Sequence, residues 1–129
     1  MRALIVDDSR FIRQYLRQLL ERIGLSCEEA SDGQQALEML RASTAFDFML
    51  LDVNMPKVNG FEVLEAVKND PLLKEIPILM LTCSGSDFDK KLAYEKKANF
   101  YIVKPGDLSE FFDIVKYVEQ IWVSGRKQA

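Results

Sequence analysis

The stretch "ALIVDDSR", residues 3–10, decides the fold. Four apolar residues, Ala3 to Val6, run straight into the adjacent carboxylates Asp7 and Asp8. The segment that follows, "SRFIRQYLRQLLERIG", places Phe11, Ile12, Tyr15, Leu16, Leu19, Leu20 and Ile23 at helical spacing. A short apolar run leading into an amphipathic segment is a strand–helix unit. Asp8 or Ser9 suits the N-cap, and Gly24 suits the left-handed residue that ends such a helix. One carboxylate is enough for a cap. Two side by side repel each other unless something positive holds them.

The same alternation recurs along the chain. A weaker strand, "SCEEA", leads through Asp32 and Gly33 into the helix "QQALEMLRAS". The strand "FDFMLLD" stays apolar at its centre until Asp52, and the loop "VNMPKVNG" enters the helix "FEVLEAVKN". "IPILMLT" is apolar throughout up to Thr82, as expected of a strand covered on both faces. A weakly amphipathic helix, "SDFDKKLAYEKKA", precedes the strand "NFYIV", which ends at Lys104, and "DLSEFFDIVKYVEQIW" is the last helix. Five strand–helix units predict an α/β domain with a five-stranded parallel sheet. The 129 residues divide into a domain over 1–123 and a tail over 124–129.

Bulk properties exclude several functions. A net charge of −3 gives no electrostatic reason to bind nucleic acid or an anionic membrane. No apolar run approaches the roughly 18 residues that would cross a bilayer. The N-terminus meets acids too early to be a signal peptide. Cys27 and Cys83 stand in no metal-binding spacing and are expected as reduced thiols, so the chain is expected to be cytoplasmic. There is no histidine, which removes imidazole acid–base chemistry and phosphohistidine formation from this chain.

In an open parallel sheet every strand's carboxyl end opens on one rim, where ligands bind. Asp7 and Asp8 close the first strand, Asp52 the third, Thr82 the fourth and Lys104 the fifth. Three carboxylates brought together require compensation, and an all-oxygen donor set favours a hard divalent cation such as Mg²⁺. That leaves Asp52, alone at mid-sheet, as a nucleophile toward a phosphoryl group. Phosphoryl transfer needs positioning and charge neutralisation, which Mg²⁺, the Lys104 ammonium and the Thr82 hydroxyl supply.

The ordered set "VDDS", "LLDVNMPKVNG", "MLT" and "YIVKP" resembles the CheY-like receiver domains, the response regulators of two-component signalling. The resemblance implies a flavodoxin-like, doubly wound (βα)5 fold with strand order 2-1-3-4-5. It implies transfer of a phosphoryl group from a phosphohistidine, on a sensor kinase or a histidine phosphotransfer protein, to Asp52. By the same resemblance Asp8 and Asp52 ligate Mg²⁺ directly, Asn54 through its backbone carbonyl, and Asp7 through water. Lys104 pairs with the phosphoryl group, the Lys104–Pro105 peptide is cis, and Gly60 is structural. Thr82 and Tyr101 form a switch that repacks the surface of the fourth helix, fifth strand and fifth helix to control an effector. No conventional enzyme activity is expected beyond the chain's own phosphorylation and autodephosphorylation at Asp52.

The chain departs from that pattern at several positions. Cys83 stands where alanine or glycine is common, either narrowing access to Asp52 or, the favoured reading, fitting as a small buried hydrophobe. Ser84 occupies a position that in similar domains tunes hydrolysis, and Gly106 follows Lys-Pro in place of a bulky residue. In the last helix Leu108, Phe111, Phe112, Val115, Val118 and Trp122 make one stripe. Ile114, Tyr117 and Ile121 widen it, which fits either two-sided packing or a homodimer or partner surface through the fourth and fifth helices. The same segment resembles, more weakly, receivers that work with phytochrome-type kinases.

The leading expectation is a stand-alone phosphoacceptor switch, and the alternative is a phosphotransfer intermediate or phosphate sink without an effector of its own. Haloacid dehalogenase-like phosphatases want a second acid where this chain has Asn54. The P-loop motif is absent, and a flavin-phosphate loop would not carry two acids.

Overall fold

The structure, a computed structural model, describes residues 1–43 and 45–120. The boundary expected at 123, the tail over 124–129 and the residues Ile121 and Trp122 lie outside the described residues. The strands are β1 (Arg2–Val6), β2 (Ser26–Ala30), β3 (Phe48–Leu51), β4 (Ile78–Thr82) and β5 (Phe100–Val103). They alternate with α1 (Arg10–Arg22), α2 (Gly33–Ala42), α3 (Gly60–Lys68), α4 (Asp87–Glu95) and α5 (Phe111–Val118). All pairings are parallel, in the order β2-β1-β3-β4-β5. This is the expected doubly wound sheet.

Because side chains alternate along a strand, the central strands feed two cores. Leu4, Val6, Met49, Leu51, Ile78 and Met80 face the side carrying α2 and α3. Ala3, Ile5, Phe48, Leu50, Leu79 and Leu81 face the side carrying α1 and α5. Every one of these side chains is at most 2 % exposed, each Leu or Ile contributing about 1.5–3 kcal/mol by leaving water. That double burial explains why these strands read as continuous apolar runs.

Local signals set the helix ends. Ser9 caps α1, its hydroxyl accepting from the Ile12 N–H, and the turn after the helix passes through Gly24 at φ 93°. Asp32 caps α2, and Asn59 with Glu62 forms a capping box on α3. A Cβ at Gly60 would lie 2.1 Å from the Asp52 carbonyl oxygen, so only glycine lets α3 start this close to the end of β3.

Three expectations need correction. Phe11 lies on the outer side of α1 and is 61 % exposed, stacking on Tyr15 instead of entering the core. Cys83 is exposed and not a buried hydrophobe, because the β4–α4 connection turns outward directly after Thr82. In α5 the buried stripe is Phe111, Ile114, Val115 and Val118, while Leu108, Phe112 and Tyr117 stay exposed. The helix is also shorter at its start than expected, residues Leu108–Glu110 forming a 3-10 turn.

Candidate functional site

The rim residues are placed by the sheet itself. The Asp7 N–H donates to the Ala30 carbonyl (3.2 Å), the Asp52 N–H to the Val6 carbonyl (3.0 Å) and the Lys104 N–H to the Thr82 carbonyl (2.7 Å). Each is therefore the first residue past a strand, tied by its backbone to the last residue of the neighbouring strand. Asp7 and Asp52 are buried at 3 % and 5 % exposure, Thr82 is fully buried, and Asp8 is exposed at the mouth.

The side chains converge. Carboxylate oxygens of Asp7, Asp8 and Asp52 lie within 4.8 Å of one another. Lys104 Nζ reaches Asp7 Oδ2 at 2.6 Å and Asp52 Oδ2 at 3.4 Å, and the other Asp7 oxygen accepts from the Ser9 N–H at 2.8 Å. Burial pushes the Asp7 carboxyl above its usual range, against the opposing pull of Lys104 and the Ser9 N–H. Burial also works against the Lys104 charge, but the hydrogen bond to Asp7 and the charges of Asp7 and Asp52 outweigh it, and the ammonium is held above the usual lysine range. The ammonium of Lys104 is thereby favoured, and it lies as counter-ion between the two buried acids Asp7 and Asp52.

The donor set fits a divalent cation. It offers three carboxylates and no sulfur or imidazole, the chemistry that suits Mg²⁺ or Mn²⁺. Asn54 lies exposed in the loop two residues past Asp52.

The sequence pointed to Thr82 and Tyr101 but not to what joins them. Thr82 Oγ1 accepts from the Ser84 N–H (3.3 Å). The Ser84 hydroxyl donates to Asp89 Oδ2 (2.6 Å), and the Ser84 carbonyl accepts from the Tyr101 hydroxyl (2.8 Å). Tyr101 is buried, and its own N–H donates to the Tyr94 hydroxyl (3.2 Å). Ser84 is thus a hub between the site threonine, β5 and α4. The only sequence signal was its place two residues after Thr82.

The expected cis peptide is absent: no described residue is joined by one, so Lys104–Pro105 is trans. Trans is the lower-energy form of an X-Pro bond by about 0.5–1 kcal/mol, and the Lys104 backbone and ammonium make all the bonds above in that form.

Residues 3–116 match the family described as the response regulator receiver domain. The chain belongs to this family. Among its relatives, the transcriptional regulatory protein CpxR of Escherichia coli (strain K12) is 41% identical over 104 residues, covering 81% of this chain and 43% of the relative. The receiver thus spans less than half of that protein's length. Among solved structures, the phosphorylated cyanobacterial phytochrome response regulator RcpA superposes with a TM-score of 0.89 at 33% identity, covering 96% of this chain and 94% of that one. The Mn²⁺-bound form of the response regulator Rcp1 gives 0.87 at 31% identity, covering 94% and 93%. The doubly wound receiver fold is shared throughout. Among the described residues no helix is long and apolar enough to cross a membrane.

Proposed function

We propose that this receiver is a phosphoacceptor switch in which Asp52 accepts a phosphoryl group from a phosphohistidine on a sensor kinase or histidine phosphotransfer protein. The observation that carries the reading is the convergence of three carboxylates and Lys104 at the carboxyl ends of the strands, with Asp7, Asp52 and Lys104 each held by a backbone bond to the neighbouring strand and Thr82 closing β4 on the same rim. An Asp52 oxygen attacks phosphorus, an acyl phosphate forms, and the bond to the donor's imidazole nitrogen breaks, its electron pair leaving with that nitrogen. Lys104, already 3.4 Å from Asp52, pairs with the incoming phosphoryl oxygens. The Thr82 hydroxyl oxygen is engaged as acceptor by the Ser84 N–H, which leaves its proton available to a second phosphoryl oxygen.

Asp8, Asp52 and the Asn54 carbonyl would hold Mg²⁺, with Asp7 acting through water. The ion's chemistry is neutralisation of charge on the transferring group. The solved relative with Mn²⁺ bound supports a hard divalent cation in such a receiver.

Output passes through Thr82, Ser84 and Tyr101. A shift of Thr82 toward the phosphoryl group moves Ser84 by its N–H and, through its hydroxyl and carbonyl, Asp89 of α4 and Tyr101 of β5. Phe88, Tyr94, Val103 and Tyr117, each at least 40 % exposed, offer the apolar surface on which an effector or a second copy binds.

Intact mass after incubation with acetyl phosphate and Mg²⁺, and separately with a phosphorylated histidine kinase domain, tests the reading. We expect one added phosphoryl group that chelator and Asp52→Asn abolish. Addition that survives Asp52→Asn, or none from either donor, overturns it.

A further inference from the structure

We propose that Arg13 is a positioning residue for the acidic site, its guanidinium fixing the peptide plane between Asp7 and Asp8 and so the directions of both carboxylates. The inference rests on the cation-binding reading above.

Arg13 is out of place by ordinary electrostatics. The N-terminus of a helix is its positive end and favours acids, yet the first turn of α1 contains no acidic residue and begins with Arg10, with Arg13 closing it. Something must offset that. Arg13 Nε donates to Glu29 Oε1 of β2 at 3.1 Å, and Nη1 donates to the Asp7 carbonyl oxygen at 2.7 Å. Its side chain is only 13 % exposed. Glu29 is itself held by Arg17, whose Nη1 reaches the second carboxylate oxygen at 3.0 Å. A planar fork fixed on one arm by a braced carboxylate delivers the other arm in one direction.

That direction matters because of where Asp7 lies. It is the first residue past β1, where its N–H still joins the ladder through Ala30. The donor its carbonyl receives is Arg13, because side chains on a helix lean toward its N-terminus and this one folds back over the turn. The Asp7 carbonyl belongs to the peptide unit that starts Asp8. Fixing that unit fixes the turn from which buried Asp7 and exposed Asp8 bring their oxygens to within 4.8 Å of each other and of Asp52. The Ser9 N–H bond to Asp7 Oδ1 closes the same turn from the other side.

Charge alone and positioning predict opposite signs. A guanidinium near three acids repels a cation, so removing it should tighten Mg²⁺ binding if charge were its whole effect. As a positioning residue, its loss weakens binding, and lysine, which keeps the charge and loses the fork, does not rescue it. Mg²⁺ titration by calorimetry on the native chain, Arg13→Lys, Arg13→Ala and Asp8→Asn decides, with thermal unfolding as the check that each variant folds. We expect Arg13→Lys and Arg13→Ala to raise the Kd about 10-fold or more, in the range typical of residues that orient metal ligands. Native-like or tighter binding by Arg13→Lys overturns the inference. If the native chain binds no Mg²⁺, or Asp8→Asn binds as well as native, it is the cation-site reading that fails. The inference is then judged on the metal-free protein by hydrogen exchange at the Ser9 amide. Faster exchange in Arg13→Lys sustains it, and unchanged exchange overturns it.

Discussion

The β1–α1 turn and the β4–α4 connection flank the same site and are built in opposite ways. The first is followed by a 13-residue helix that buries Leu16, Leu19 and Leu20 and whose Tyr15 ring meets Phe111 edge-on at 5.9 Å. Backbone ladder, Ser9 and Arg13 all fix the turn itself. The second leads into a nine-residue helix whose one buried residue is Ala93, with Phe88 at 74 % exposure and Tyr94 at 44 %. Its connection is held by bonds to the hydroxyls of Thr82, Ser84 and Ser86. Regions with little buried apolar surface open at low free-energy cost. One flank is tied down around the acids; the other is cheap to rearrange, as the proposed switch would require.

The largest contrast should appear in stability. Leu20→Ala removes a fully buried side chain from under α1 and should cost about 2–5 kcal/mol in urea unfolding. Phe88→Ala on α4 should stay within about 0.5 kcal/mol. Comparable losses would break the contrast.

A smaller effect should follow from Ser84→Ala, which leaves Asp89 without its 2.6 Å partner. We expect a loss of about 1 kcal/mol, with faster hydrogen exchange confined to Asp87–Glu95. Exchange that quickens equally in α1 would mean that the two flanks are one cooperative unit.

The smallest effect at neutral pH concerns the two thiols. Cys83, exposed beside the site, should be alkylated in the native state, and Cys27, buried on β2, should react only after unfolding. Burial, aided by Glu21, raises the Cys27 thiol from 9.0 to about 11. Above pH 9.0 the unfolded chain releases this proton while the folded chain keeps it. The contribution to stability is therefore complete below pH 9.0 and is lost as pH rises toward 11. A Cys27→Ser chain should lack this alkaline decline, measured by urea unfolding across that range.

Much of this molecule was legible in the sequence because the signals were strong and local. Continuous apolar runs gave the buried strands, and Ser9 and Gly24 marked the ends of α1 by a hydrogen bond and a backbone angle. The rim residues followed from topology, since a parallel sheet puts strand ends together. What failed was decided by geometry at longer range. Phe11 shares helical spacing with the core residues but sits at the edge of their arc, where Tyr15 shields the interior. Cys83 reads as a hydrophobe after an apolar strand, yet the chain turns there. Arg13 gave no local signal at all, because its partners come from β2 and from the end of β1.

The close start of α3 has a counterpart at α2. A Cβ at Gly33 would lie 2.1 Å from the Val58 carbonyl oxygen, as one at Gly60 would from that of Asp52. The loop between Asp52 and Gly60 is thus seated at both ends on bare main chain, with Met55 and Val58 packed inward. Asn54, Pro56 and Lys57 project outward from it. Lys57 holds φ 66° and pairs with Asp32 at 3.6 Å. Backbone anchoring of this kind separates two evolutionary freedoms: the two glycines are locked, while the outward side chains beside Asp52 can be exchanged without moving the strand end that carries it. Exchange at 54 and 56 should leave the scaffold intact, whereas the left-handed backbone of Lys57 limits what can stand there.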